Sequence, residues 1–346
     1  MSSPFMHRCL DLARLGAGYV APNPMVGAVL VHEGKMIGEG WHERWGEAHA
    51  EVNCVRSVLP ENQHLIPYST LYCSLEPCFH FGKTPPCVDL ILEKKIPHVV
   101  IANVDPNPRV AGQSVEKLRA AGVQVETGVM AAEGAWLNRS FFHWINQKRP
   151  YVILKWAQSA DGYLGHPGVR TAISGPSVQR LVHRWRHESD AILVGTKTAV
   201  TDNPKLDARL HGGNNPLRIV FDLEKKISAE YNILDDSIPT WVFGPQRDGI
   251  FERTEFFPSV GPLQLTDVLQ RLYLTNRATL LVEGGAYILK QFIESGLWNE
   301  IRQIESAHTL GGGVPAPALP TGLVLKEQFQ LGSDRIRIFT GISGQV

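Results

Sequence analysis

Surplus charge of either sign is missing from this sequence: 34 Lys and Arg face 34 Asp and Glu, so the 346-residue chain has a formal net charge of zero. Polyanion binding draws its affinity from many basic contacts, so a large nucleic-acid surface is not expected. Long apolar runs are missing too, and nothing approaches the roughly 18 residues needed to cross a bilayer. Arg8, Asp11 and Arg14 interrupt the apolar pattern of the amino terminus, which suits an amphipathic helix better than a signal peptide. Cysteine is scarce and one-sided: Cys9, Cys54, Cys73, Cys78 and Cys87 lie in the first quarter and none follows. An odd, clustered set makes a poor disulfide framework, so metal binding or catalysis is the better use and cytoplasm the default compartment. A Gly-x-Gly-x-x-Gly behind an early strand is also absent, which removes the dinucleotide fingerprint.

What is present describes an ordinary globular chain, 43% hydrophobic and 20% charged, long enough for two cores. Up to about residue 146 the pattern alternates. A helix at 4–16 precedes a hairpin in "MVGAVLVHEGKMIGEGWH", then come a helix near "HAEVNCVRSVL", the strand "STLYCSL", a helix from Cys87 to Glu93, "HVVIANV", the helix "QSVEKLRAAG" and "VQVETGV". That predicts one sheet of about five strands with helices on both faces. "WINQKRPYVILKWA" reads as a polar turn opening a second sheet, which divides the chain into 1–147 and 148–346. The second part again alternates, with strands near 151–156, 191–196, 217–222, 239–244 and 278–285, two late strands, and helices near 176–186, 265–273 and 286–295. "LGGGVPAPALP" at 310–320 is its one long loop.

The chemistry-bearing residues of the first part are His49, Glu51, Cys78 and Cys87. One imidazole and two thiolates give zinc three protein ligands and leave a position for water, the arrangement of a catalytic site. Glu51, two residues past His49 at a helix start, points elsewhere and can carry the water's proton to a departing amine. Helix starts after Pro77 and around Cys87 would place positive dipole ends near both sulfurs. Either signal alone is weak, since buried cysteines and chance His-x-Glu pairs are common. Together and in order they match the zinc-deaminase pattern, His-x-Glu then Pro-Cys and a second Cys, here with eight residues between the cysteines. A structural metal remains the alternative at this point.

"HAE", "EPCFHFGKTPPC" and "APNPMVGAV" closely resemble the deaminase domain of the bifunctional riboflavin-biosynthesis deaminase/reductase family. The resemblance implies a cytidine-deaminase-like three-layer α/β/α domain acting on a ring-opened diaminopyrimidinone carried on ribosylamino phosphate. By the same resemblance Asn23, His42, His80 and Lys83 would line the substrate site, with Asp105 and Asn107 of "DPNP" nearby. Asp-Pro and Asn-Pro are also ordinary turn formers.

"LKWAQSADG", "RHESDAILVGTKTAVTDNPKLDAR", "RIVFD" and "LLVEGGAYILKQFIESGLWNEI" resemble that family's reductase domain, which implies a dihydrofolate-reductase-like α/β fold. Lys155, Arg186, Leu206, Arg209 and Glu283 would then surround the substrate. Gln158, Thr198, Asp202 and the run Gly284, Gly285, Ala286, Tyr287 and Ile288 would hold NADPH, which reduces the ribosyl side chain to ribityl. Physically, "LLVEGGAYILKQF" is a strand, a two-glycine turn and a helix whose first amides can face a phosphate, though such turns are common in α/β proteins. Family members commonly carry Gly-x-Ser-x-Trp-Ile-Thr ahead of the first helix, where this chain reads "GVRTAIS", with Arg170 for the serine and Ala172 for the tryptophan. The family also suggests a homodimer or tetramer with a small-molecule substrate. Two other functions stay open on sequence: a deaminase with a scaffold second domain, and a nucleic-acid base editor.

Overall fold

The computed structural model describes residues 3–79, 85–107, 110–258 and 264–341. The chain divides into two compact units, Met1–Lys148 and Arg149–Gln345.

In the first unit, α1 (Pro4–Arg14) starts on Ser3, whose hydroxyl accepts the Met6 N–H, with Pro4 opening the helix. Then follow β1 (Gly27–His32), β2 (Lys35–Trp41), α2 (Ala50–Arg56), β3 (Thr70–Leu75), α3 (Cys87–Glu93), β4 (His98–Asn103), α4 (Gln113–Ala120), β5 (Gln124–Thr127), α5 (Ala131–Leu137) and α6 (Arg139–Gln147). The sheet order is β2-β1-β3-β4-β5. β1 is antiparallel to β2 and β3, while β3, β4 and β5 run parallel.

Strand alternation sorts the side chains into two layers. Ala28, Leu30, Leu71, Cys73, Val99 and Ile101 pack with Cys54 of α2, Val88 and Ile91 of α3 and Leu118 of α4. Val29, Val31, Val100 and Ala102 pack instead with Met6, Cys9 and Leu10 of α1. Helices therefore cover both faces, the three-layer arrangement. Seating α2 against β2 requires glycine: a Cβ on Gly38 would lie 2.6 Å from the Cys54 carbonyl oxygen, and one on Gly40 would collide with the Cys54 backbone nitrogen. That close approach fixes the helix that carries the candidate catalytic residues.

The second unit comprises β6 (Tyr151–Gln158), α7 (Pro176–His187), β7 (Ala191–Val194), α8 (Thr196–Asp202), β8 (Leu217–Phe221), β9 (Thr240–Phe243), β10 (Thr254–Phe257), α9 (Leu265–Leu274), β11 (Thr279–Val282), α10 (Ala286–Ser295), β12 (Glu300–Glu305), β13 (Leu323–Leu331) and β14 (Asp334–Gly341). Nine strands form one sheet in the order β10-β9-β8-β7-β11-β6-β12-β14-β13. Those from β10 to β12 are parallel and the last two antiparallel. Leu154, Leu193, Ile219 and Val282 form its core with Val268 and Leu272 of α9 and Leu289 and Phe292 of α10. As suits the inside of a parallel sheet, β7 is buried and apolar on both faces.

Several expectations need correction. "WIN" belongs to the end of α6, which runs to Gln147, so the polar turn is confined to Lys148 and its neighbours. Lys148 ends that helix in a left-handed conformation, φ 52°. The sequence pattern does not show α5, α6, α8, β10 or β13. Among the described residues 77–79 no helix starts after Pro77, while the expected start at Cys87 is present. No helix among the described residues is long and apolar enough to cross a membrane.

Candidate active sites

His49 sits immediately ahead of α2, Glu51 in that helix's first turn, Cys78 beyond β3, and Cys87 at the first position of α3. His49 Nδ1 lies 3.4 Å from each sulfur, and the three donor atoms fall within 4.8 Å of one another. Tetrahedral donors at ordinary zinc–sulfur and zinc–nitrogen lengths stand about 3.5 Å apart, so this set fits zinc. The Cys87 backbone N–H donates to Cys78 Sγ at 3.2 Å, so the start of α3 serves both sulfurs. Hydrogen bonding from Cys87 pulls the Cys78 thiol down, with His49 assisting. The contact with Cys78 raises His49. Burial raises the Glu51 carboxyl, which is 3% exposed.

His49, Glu51 and Cys78 open into a cavity of about 340 Å³ that Asn23, His42, Glu76, Asp105 and Asn107 also line. His42 is buried and held below its usual pKa by desolvation. Its Nδ1 faces the Ala48 carbonyl oxygen at 3.1 Å and must donate there, which leaves Nε2 to accept from Asn23 Nδ2, also at 3.1 Å. Asp105 Oδ1 accepts the Asn107 N–H at 2.8 Å, so the turn-former reading and the cavity-lining reading both hold for this pair. His80 and Lys83 lie outside the described residues.

Sequence reasoning missed two residues here. Glu76, directly before Pro77-Cys78, carries a second buried carboxylate into the cavity wall. Asn138 sits where α5 meets α6, accepts the Met25 N–H at 2.9 Å and donates to the Met25 carbonyl at 2.8 Å, which ties the Asn23 loop to α6. Phe141 and Ile145 of α6 close the same cavity. "SLEPC" displays the acid, but its partners and those of Asn138 lie far off in sequence, where no local pattern reaches.

In the second unit the structure brings Lys155, Arg186 and Glu283 together. Arg186 grips Glu283 with two hydrogen bonds, 2.7 and 2.9 Å, and Lys155 Nζ stands 3.6 Å from the same carboxylate. Burial alone would raise Glu283, but the Arg186 and Lys155 charges prevail and hold it at about 2. Burial pulls Lys155 down. Arg186 Nη1 also donates to the Asp207 carbonyl at 3.2 Å, joining this cluster to the loop of Leu206 and Arg209. Leu206 is buried in a left-handed conformation, φ 55°, while Arg209 is exposed and paired with the Asp207 carboxylate.

The Gly284-Gly285 turn follows β11 directly, with Gly284 at φ 119° and Gly285 heading α10 without a side-chain cap. The Gly285 N–H donates to Thr198 Oγ1 at 2.9 Å, so one of the amides expected to face a phosphate is already partnered. Ala286, Tyr287 and Ile288 form the first turn, whose N–H groups lack intrahelical acceptors by geometry. This bare turn beside Thr198 fits a phosphate-bearing nucleotide. Gln158 accepts from Trp156 and Gln303, each at 2.9 Å, at the end of β6. Asp202 closes α8, its pKa raised by burial against the opposing charge of Arg170. Arg170 and Ala172 are both exposed.

Comparison with known proteins agrees with this geometry. Residues 1–103 match the model of the cytidine and deoxycytidylate deaminase zinc-binding region, and residues 150–334 match the RibD C-terminal domain. Riboflavin biosynthesis protein RibD of Aquifex aeolicus is 38% identical over 320 residues, 90% of this chain and 88% of that protein. Its Escherichia coli counterpart is 33% identical over 316 residues, 86% and 85% of the two chains. A solved diaminohydroxyphosphoribosylaminopyrimidine deaminase/5-amino-6-(5-phosphoribosylamino)uracil reductase from Thermotoga maritima superposes with a TM-score of 0.88 at 33% identity, covering 97% of each chain. Acinetobacter baumannii RibD gives a TM-score of 0.86 at 30% identity, again over 97% of each. Neither the scaffold reading nor the base-editor reading is favoured by these relatives. The chain belongs to the RibD family of riboflavin biosynthesis proteins, enzymes that join a zinc-dependent deaminase to an NADPH-dependent reductase.

Proposed function

We propose that the first unit deaminates 2,5-diamino-6-(5-phosphoribosylamino)pyrimidin-4-one and that the second reduces the ribosyl chain of the product to ribityl. The observation that carries the first step is the donor set, His49 Nδ1 at 3.4 Å from each of Cys78 and Cys87, with Glu51 buried in the same cavity. Zinc held there would supply the Lewis acidity that makes water nucleophilic at neutral pH. Glu51, its carboxyl raised by burial, takes the proton from the attacking water and returns it to the departing exocyclic nitrogen. Asn23 and His42 orient the pyrimidine from one wall, and Asp105 and Asn107 close the other. His80 and Lys83 belong with this group by the family motif.

In the second unit, Arg186 and Lys155 offer cationic donors to the substrate, with Glu283 fixing both side chains and Leu206 and Arg209 on the adjoining loop. NADPH held in this unit would supply the hydride for the ribose C1′ carbon. Thr198, Asp202, Gln158 and Gly284, Gly285, Ala286, Tyr287 and Ile288 would bind the nucleotide, with the first-turn amides of α10 after Gly285 offered to phosphate oxygens.

We assign the chain to the cytoplasm, and assembly to a homo-oligomer through the second unit. β13 supports the latter: this nine-residue edge strand exposes Val324, Leu325 and Phe329. A mass-spectrometric time course on the diaminopyrimidinone phosphate, with and without NADPH, tests the whole reading. Deamination should proceed without the nucleotide and reduction only with it; no loss of ammonia by zinc-loaded protein would refute the assignment.

A further inference from the structure

Two buried carboxylates share the first unit's cavity, and their hydrogen bonds give them different tasks. Glu76 is 6% exposed and, among the described residues, accepts four backbone N–H groups. Oε2 takes Asp105 at 3.1 Å and Gly112 at 3.0 Å; Oε1 takes Ser114 at 3.1 Å and Val115 at 3.4 Å. Two donors on each oxygen occupy its lone pairs, so Glu76 has no lone pair left for a water proton. Glu51, in the same cavity, keeps the part of proton carrier.

α4 explains why a carboxylate is needed. The helix starts at Gly112 in a left-handed conformation, φ 77°, with no side chain of its own to cap it. Its first amides need an acceptor, and a negative one suits the positive end of the helix. Glu76 supplies that acceptor from another element, 36 to 39 positions away in the chain. The same side chain takes the Asp105 amide at the cavity rim, and Ser114 Oγ returns a 2.5 Å hydrogen bond to the Pro77 carbonyl. Asp105, the head of α4 and Pro77-Cys78 are therefore tied at a single carboxylate.

We propose that Glu76 is a positioning residue that sets the rim bearing Asp105 and Asn107 at a fixed height above Cys78, and so governs how tightly the deaminase holds its substrate. The inference rests on the deaminase reading of this unit. Glutamine has the same shape, but its amide group would point N–H donors at two of the four N–H groups. Aspartate is one methylene too short to reach all of them.

The test uses the full-length, zinc-loaded enzyme. E76Q should raise the KM for the diaminopyrimidinone phosphate about tenfold or more with kcat within about threefold. Zinc content and the reductase rate should stay unchanged, while amide hydrogen exchange quickens at 105 and 112–115 but not across α2. E76D should not rescue the KM. An unchanged KM beside faster exchange would reduce Glu76 to a structural tether and overturn the proposal; so would lost zinc, or a lower kcat at constant KM. If E76Q is not recovered folded, S114A removes the Ser114–Pro77 link and leaves the carboxylate in place. It should raise KM in the same direction at constant kcat, and an unchanged KM there overturns the proposal too. Wild-type enzyme inactive on this substrate would refute the deaminase reading itself, an outcome distinct from active wild type matched by E76Q.

Discussion

Arg186 donates Nε to Oε1 of Glu283 at 2.7 Å and Nη2 to Oε2 at 2.9 Å, a planar fork closed on a planar carboxylate inside the second unit. Breaking a buried pair from one side strands the other charge, which typically costs about 3–5 kcal/mol. E283Q should lower the melting temperature and cut reductase kcat/KM sharply while deaminase activity persists. Equal melting curves for mutant and wild type would contradict this account of the pair.

The same carboxylate predicts acid sensitivity. Glu283 is held at about 2, below its unfolded value of 4.5. A depressed acid contributes stability that is fully present above pH 4.5 and is lost as pH falls through about 2, on the order of 3 kcal/mol here. His183, pushed down to about 4 by burial, adds a loss of the same sign between pH 6.5 and 4. Asp190 acts oppositely: burial raises it to about 6, so its contribution is greatest below pH 3.8 and fades as pH rises through 6. Thermal melts of wild type and E283Q should therefore converge as pH drops from 4.5 towards 2. A gap constant over that window would rule out the linkage.

For the first unit, C78S should lose zinc and deamination together, since thiolate is the ligand the ion prefers. E51Q should instead keep one zinc per chain and lose deamination by about 10²–10⁴. Elemental analysis beside the assay separates the two outcomes. Deamination by E51Q at the wild-type rate would leave the metal a structural part.

The proposed nucleotide turn, Gly284-Gly285, offers another test. A Cβ on Gly195 would lie 2.8 Å from Ile288 Cγ1, in the first turn of α10, and the Gly195 N–H donates to the Gly284 carbonyl at 2.9 Å. G195A should push that turn outward and T198V should strand the Gly285 N–H; each should raise the KM for NADPH by about tenfold. Deaminase kinetics should not change. An unaltered KM in both variants would move the nucleotide site elsewhere.

Sequence alone showed most of what is local. β1, β3 and β4 read as apolar runs between turn residues, and His49, Cys78 and Cys87 stand out because their spacing and chemistry agree. β13 did not, because "LVLKEQFQL" is exposed along nearly its whole length and burial imposes no alternation on it. α6 is not legible as a helix, because "WINQK" looks like a linker although Phe141 and Ile145 line the cavity. Partners that lie far apart in the chain are not legible in a local pattern: Asn138 meets Met25 across 113 positions, and Glu76 meets its four amides across 29 to 39.

Each unit folds around its own apolar centre, and that permits a mixing experiment. A preparation crippled at Glu51 and another crippled at Glu283 are each blocked at one stage, but pooled in one tube they should restore the complete conversion. The pool would do so by handing a released molecule from one protein to the other, and its lag before product emerges would measure how freely that molecule escapes.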